Sequence, residues 1–172
     1  MKKIELTLGT LAAIAILYKL LLGNELNTIL LISMAGLSLF YTYFSFIYFN
    51  GISLKRIFKK DEYRRISTSK MLGSIALGIG LGITILGVLW SLMSWPFNSY
   101  YSLGIPLLIF IGFFAFIKFS ATRAEAYIKM LKRIIVVGII GSAFWLNPNQ
   151  AFTKYEEVKA VREEPPQEIE NS

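Results

Sequence analysis

Four long apolar runs dominate this sequence of 172 residues and leave few folds open to it. They are Ile4 to Leu22, Leu26 to Phe49, Met71 to Met93 and Tyr100 to Phe119. A bilayer core about 30 Å thick needs roughly 20 apolar residues per helix, and each run meets that length. Backbone N–H and C=O groups inside lipid must be satisfied within the protein, so only helices or closed barrels can span. The runs are continuously apolar and do not alternate as membrane β-strands do. The expected fold class is therefore all-α, a polytopic membrane protein. Composition agrees: 55% of residues are hydrophobic and only 17% charged, a balance too apolar for a soluble domain.

A fifth apolar stretch, Ile134 to Leu146, is shorter. Begun near Tyr127, with Lys129, Lys132 and Arg133 snorkelling to the headgroups, it becomes long enough to cross. A fifth span is the expectation and a re-entrant or interfacial helix the alternative. The organisation reads as a first membrane hairpin (1–50), a basic cytoplasmic loop (51–70) and a second hairpin (71–120). An amphipathic segment with the fifth span (121–147) and an acidic, partly disordered tail (148–172) follow. Met1-Lys2-Lys3 before an apolar run resembles a signal peptide, but the run is long for one and no Ala-x-Ala-like site ends it.

Basic residues occupy alternate connections. Lys2 and Lys3 begin the chain. Residues 51–70 hold Lys55, Arg56, Lys59, Lys60, Arg64, Arg65 and Lys70 against Asp61 and Glu62. Residues 118–133 hold Lys118, Arg123, Lys129, Lys132 and Arg133 against Glu125. The turns at 23–25 and 94–99 carry no Lys or Arg. The positive-inside rule puts the basic segments in the cytoplasm, in a plasma (inner) membrane. The N-terminus is then cytoplasmic, and a fifth span would make the C-terminus external.

A shift of 72 residues lays Leu17-Tyr18-Lys19-Leu20-Leu21 on Leu89-Trp90-Ser91-Leu92-Met93, so the two hairpins read as an internal repeat. The stretch ending in Ser94-Trp95-Pro96 resembles the Lys-x-x-His-Trp-Pro turn in the N-terminal membrane hairpin of GldL, a protein of the gliding-motility and type nine secretion motor. Small uncharacterised membrane proteins related to that hairpin show similar repeats. Lys19 stands at the lysine position of the first unit, and Trp95-Pro96 at the turn of the second. Ser91 and Ser94 replace the lysine and histidine there. The resemblance covers roughly residues 8–50 and 80–121, and implies a shared hairpin unit. It also implies an intramembrane carboxylate for proton use. The second run has no charged residue, and the fourth has none from Tyr100 to Ile117. A shared motor activity is therefore not expected.

Composition removes most catalytic machinery. With no Cys and no His there are no disulfides, thiolate nucleophiles, zinc fingers, His- or Cys-ligated haem, or Ser-His-Asp sets. Apart from Glu5 at the start of the first run, the acids lie outside the long runs. No catalytic, cofactor-binding or metal residue is expected, and no cofactor. Ser74, Gly78 and Gly82, at i, i+4 and i+8, form a small-residue stripe for helix packing, and Gly138 and Ser142 form a weaker one. Gly78-Ile-Gly80-Leu-Gly82 lacks the strand and acidic partner of a dinucleotide motif. Lys55, Arg56, Lys59, Lys60, Arg64 and Arg65 are candidates for lipid-headgroup contact. Lys19, Trp95 and Pro96 mark the outer-turn motif. Tyr41, Tyr43, Phe44, Phe46, Tyr48 and Phe49 suit an interfacial aromatic belt. Pro106 kinks the fourth run or marks a late helix start.

The expected role is a non-enzymatic structural or accessory subunit of a membrane assembly. The alternative is a small transporter or channel for a neutral or lipidic solute. Expected partners are the lipid bilayer and other membrane proteins or a second copy. The membrane accounts for the basic residues, so no nucleic acid is expected.

Overall fold

The computed structural model describes residues 1–21, 26–52, 66–93, 95 and 103–146. Their regular structure is entirely helical: α1 (Lys2–Leu21), α2 (Asn27–Phe49), α3 (Thr68–Leu92), α4 (Gly104–Thr122) and α5 (Glu125–Leu146). The first four are long and apolar enough to cross a membrane. The chain is a membrane protein. Helix α5 has 22 residues, and Glu125, Lys129, Lys132 and Arg133 occupy its first half. The headgroup candidates Lys55, Arg56, Lys59, Lys60, Arg64 and Arg65, along with Pro96 and the tail 148–172, lie outside the described residues.

Local chemistry accounts for the helix ends. Asn50 and Gly51 close α2 by a Schellman arrangement, in which Gly51 N–H donates to the Tyr48 carbonyl and Ile52 N–H to that of Ile47. Gly51 adopts φ +71°, which glycine reaches without a Cβ penalty. Pro106 falls in the first turn of α4, where its missing N–H costs no helical bond. It therefore marks a late start and not a kink. A break at Arg123 and Ala124 separates α4 from α5, with residues 120–122 forming the last turn of α4. Arg123 makes the turn in the left-handed region at φ 53°, with its N–H donating to the Phe119 carbonyl at 2.7 Å. A residue with a Cβ pays about 1 kcal/mol there. Arg123→Gly is expected to stabilise the fold by about 0.5 kcal/mol, after its greater unfolded-state entropy, and Arg123→Val to destabilise it. Thermal unfolding in detergent checks both signs.

Helices α2 and α3 form the centre. Helix α1 packs on α2, while α4 and α5 pack on α3 and on each other. The core holds Leu30, Met34, Leu77, Leu81, Leu89 and Leu108, all nearly inaccessible. Ala12 and Ala15 of α1 are buried as well. Outward faces stay apolar, with Leu21, Phe110, Phe113 and Ile139 each about two-thirds or more exposed. Such a mantle suits contact with acyl chains.

The stripe Ser74, Gly78 and Gly82 lies against α2. A Cβ on Gly78 would overlap Ser45 and lie 2.5 Å from the Tyr41 carbonyl oxygen; one on Gly82 would overlap the Thr42 hydroxyl. The Ser38 hydroxyl donates to the Gly82 carbonyl at 3.0 Å, and Asn50 Nδ2 donates to Ser74 Oγ at 2.9 Å. Close approach thus lets short polar side chains bridge the two backbones. On α5 the packing glycine is Gly141, not Gly138. A Cβ on Gly141 would stand 2.6 Å from both Ile105 and Thr84, whereas one on Gly138 would meet nothing within 4 Å. Gly138 and Ser142 instead line a shallow groove between α4 and α5.

Candidate functional site: a charged cluster at the end of an apolar groove

Helix α1 places Glu5 in its first turn. Helix α2 presents Tyr41 and Tyr48, seven residues apart and so on one face. Helix α5 supplies Arg133. The four side chains meet around the Glu5 carboxylate. Tyr41 Oη donates to Glu5 Oε1 at 2.6 Å, and Tyr48 Oη donates to Oε2. Arg133 Nε donates to Oε1 at 3.0 Å and Nη2 to Oε2 at 3.1 Å, the forked geometry in which guanidinium binds carboxylate best. The same Nη2 also donates to Tyr48 Oη at 2.6 Å, and the guanidinium lies 5.5 Å from the centre of the Tyr48 ring. Each carboxylate oxygen thus accepts two hydrogen bonds, which saturates its lone pairs. The Glu5 side chain is only 13% exposed and that of Arg133 27%.

This arrangement is a clasp between α1 and α5, helices that otherwise pack chiefly through α2 and α3. A saturated carboxylate has little freedom to carry a substrate or relay a proton. The cluster positions helices more readily than it does chemistry. Among the described residues no group of three or more carboxylates could hold a metal ion.

Beyond the clasp, α1 and α5 flank a groove of about 830 Å³. Leu6, Gly9, Ala13 and Leu17 form one wall, Val136, Val137 and Ile140 the other, and Met34, Leu37, Ile85 and Val88 the floor. Lys2, Lys129 and Lys132 stand at the clasp end. The size falls within the ~300–1,000 Å³ of small-molecule sites, and the lining is apolar with polar groups at one end.

No known family model, curated protein or solved structure matches this chain. The site's chemistry rests on its own geometry.

Several residues singled out from the sequence lie elsewhere. Lys19 donates to Asn27 Oδ1 at 2.8 Å across the α1–α2 turn. Trp95 packs edge-on against Trp90 with ring centroids 5.8 Å apart. The aromatic group at the end of α2 divides in two. Tyr43 and Phe44 are exposed as belt residues should be, but Tyr41 and Tyr48 turn inward to Glu5. Glu5 and Arg133 were not expected to form a site. The available signal was an acid inside the first turn of an apolar helix, together with two tyrosines at helical spacing on the next.

Proposed function

We propose that this chain is a multi-pass protein of the plasma (inner) membrane that holds a lipidic molecule in the α1–α5 groove without catalysing a reaction on it. Its N-terminus is cytoplasmic, α5 is the fifth span, and the C-terminus is external. The basic residues at 2–3, 51–70 and 118–133 support that orientation. The fifth span is supported by the length of α5 and by the approach of Gly141 to Thr84, deep along α3. The two hairpins, α1–α2 and α3–α4, are read as copies of one unit related to the GldL hairpin.

The observation that carries the functional reading is the groove itself. Its lining is apolar with basic side chains gathered at one end, the pattern of a site for an apolar molecule with one polar end. That supports the lipidic-solute alternative over the accessory-subunit role. Gly9 offers a direct test, because a Cβ there meets nothing within 4 Å and a larger side chain projects into open space. Protein purified in mild detergent is expected to retain lipid at about one molecule per chain, measured by extraction and mass spectrometry. Gly9→Phe should remove most of it while leaving the helical content unchanged. Retention equal in both proteins would sink the reading. Separately, a reporter active only outside the cytoplasm, fused after Ser172, is expected to be active; an inactive fusion would remove the fifth span.

A further inference from the structure

The charge distribution around the groove is lopsided. Among the described residues, Lys2, Lys129, Lys132 and Arg133 line it against a single carboxylate, Glu5. Glu5 is saturated by Arg133 and the two tyrosines, so it has no lone pair left for the lysines. Among the described residues neither Lys2 nor Lys132 takes part in an ion pair. Lys129 has only a 3.8 Å contact with Glu125, whose side chain is 87% exposed. Contacts that exposed hold little against a stronger ligand. Three ammonium groups therefore stand at the clasp end of the groove with no fixed anion among the described residues beside them.

The groove's depth is equally specific. From Glu5 to Leu17 the α1 wall runs about 18 Å, at about 1.5 Å per residue. On α5, Lys129 to Ile140 runs about 16 Å. Half of a ~30 Å hydrocarbon core is about 15 Å. Counted with its basic end, the lining thus matches one leaflet in length, with the α1 wall apolar from Leu6 to Leu17, the α5 wall apolar from Val136 to Ile140, and the ammonium groups at the headgroup end.

We infer that the groove takes an anionic phospholipid of the cytoplasmic leaflet. Its phosphate sits on Lys2, Lys129 and Lys132, and its acyl chains lie along α1 and α5. This rests on the lipid-holding reading above and adds the headgroup chemistry. Arg133 stays committed to Glu5 and closes the groove at the headgroup level, so the lipid enters sideways between the helices and not from the cytoplasm.

The test uses the full chain in non-ionic detergent micelles and three labelled lipids with identical tails: phosphatidylglycerol, phosphatidylcholine and diacylglycerol. Phosphatidylglycerol is expected to bind at least tenfold tighter than diacylglycerol, with phosphatidylcholine between them. The Lys129→Gln/Lys132→Gln double variant, altered at partly or fully exposed positions, should lose about thirtyfold in affinity for phosphatidylglycerol and nothing for diacylglycerol. Equal binding of phosphatidylglycerol and diacylglycerol, both abolished by Gly9→Phe, would overturn the headgroup assignment and leave the lipid-holding reading standing. Binding of none of the three would overturn that reading as well. Displacement of phosphatidylglycerol by millimolar inorganic phosphate would show a phosphate site and overturn the lipid assignment.

Discussion

Glu5→Leu is expected to lower the stability of the folded chain by about 3 kcal/mol, the usual result of removing one partner from a largely buried ion pair. The loss has three parts. The Arg133 guanidinium loses its counter-charge in a site where its side chain is only 27% exposed. The Tyr41 hydroxyl, on a residue 4% exposed, loses its acceptor. Tyr48 loses its acceptor too, though it still receives a hydrogen bond from Arg133. For a chain of this size such a change lowers the melting temperature by about 6–12 °C. Arg133→Met should cost less, about 1–2 kcal/mol, because both tyrosines continue to donate to the carboxylate. The double variant Glu5→Leu/Arg133→Met removes both charges and leaves apolar groups of similar bulk. It should be more stable than the sum of the singles by about 1–3 kcal/mol. Thermal unfolding of the four proteins in one detergent completes the cycle. Additive losses would mean that the clasp holds nothing together.

The same contrast shows what could be read from the sequence. Helix positions were legible because membrane insertion is decided locally, by about twenty consecutive residues of one physical kind. The α3 stripe was legible for a related reason, since Ser74, Gly78 and Gly82 repeat with helical spacing inside one segment. What the stripe would face was not legible, because that depends on which surface of α2 is lined with Ser38, Thr42 and Ser45. On α5 the small-residue pattern pointed to Gly138 and Ser142. The helix is rotated instead to bring Gly141 onto Thr84 and Ile105, a matter of three-helix packing that spacing along one helix cannot encode. The clasp was the least legible feature. Glu5 and Arg133 are 128 positions apart. Each alone looks like a charge at the edge of a membrane helix, free to reach the headgroups. Tyr41 and Tyr48 likewise sit among aromatics with the composition of an interfacial belt. Only the third dimension distinguishes a tyrosine facing lipid from one facing a carboxylate.

Two glycines on α3 should respond to alanine with opposite signs. Alanine favours a helix over glycine by about 1 kcal/mol, and at Gly73, where an added Cβ meets nothing within 4 Å, that gain should appear as added stability. At Gly78 it should be overwhelmed. The new Cβ would overlap the Ser45 side chain and approach the Tyr41 carbonyl oxygen to 2.5 Å. A hydroxyl can rotate, but a helix carbonyl moves only with its helix. Helix α2 would then have to withdraw from α3, weakening the bond from Ser38 to the Gly82 carbonyl and the one from Asn50 to Ser74. A net loss of about 2–3 kcal/mol follows, typical of overpacking a close interface. The obstacles also predict how far each loss can be rescued. Gly82→Ala meets chiefly the Thr42 hydroxyl, with the Ser38 carbonyl at a more tolerable 3.3 Å, so adding Thr42→Ala should restore most of its stability. Ser45→Gly should rescue Gly78→Ala only in part, because the Tyr41 carbonyl remains in place. Melting temperatures of these variants, measured beside Gly73→Ala, test whether backbone contact sets the spacing of the two central helices. Full rescue at Gly78 would mean that side chains alone set it.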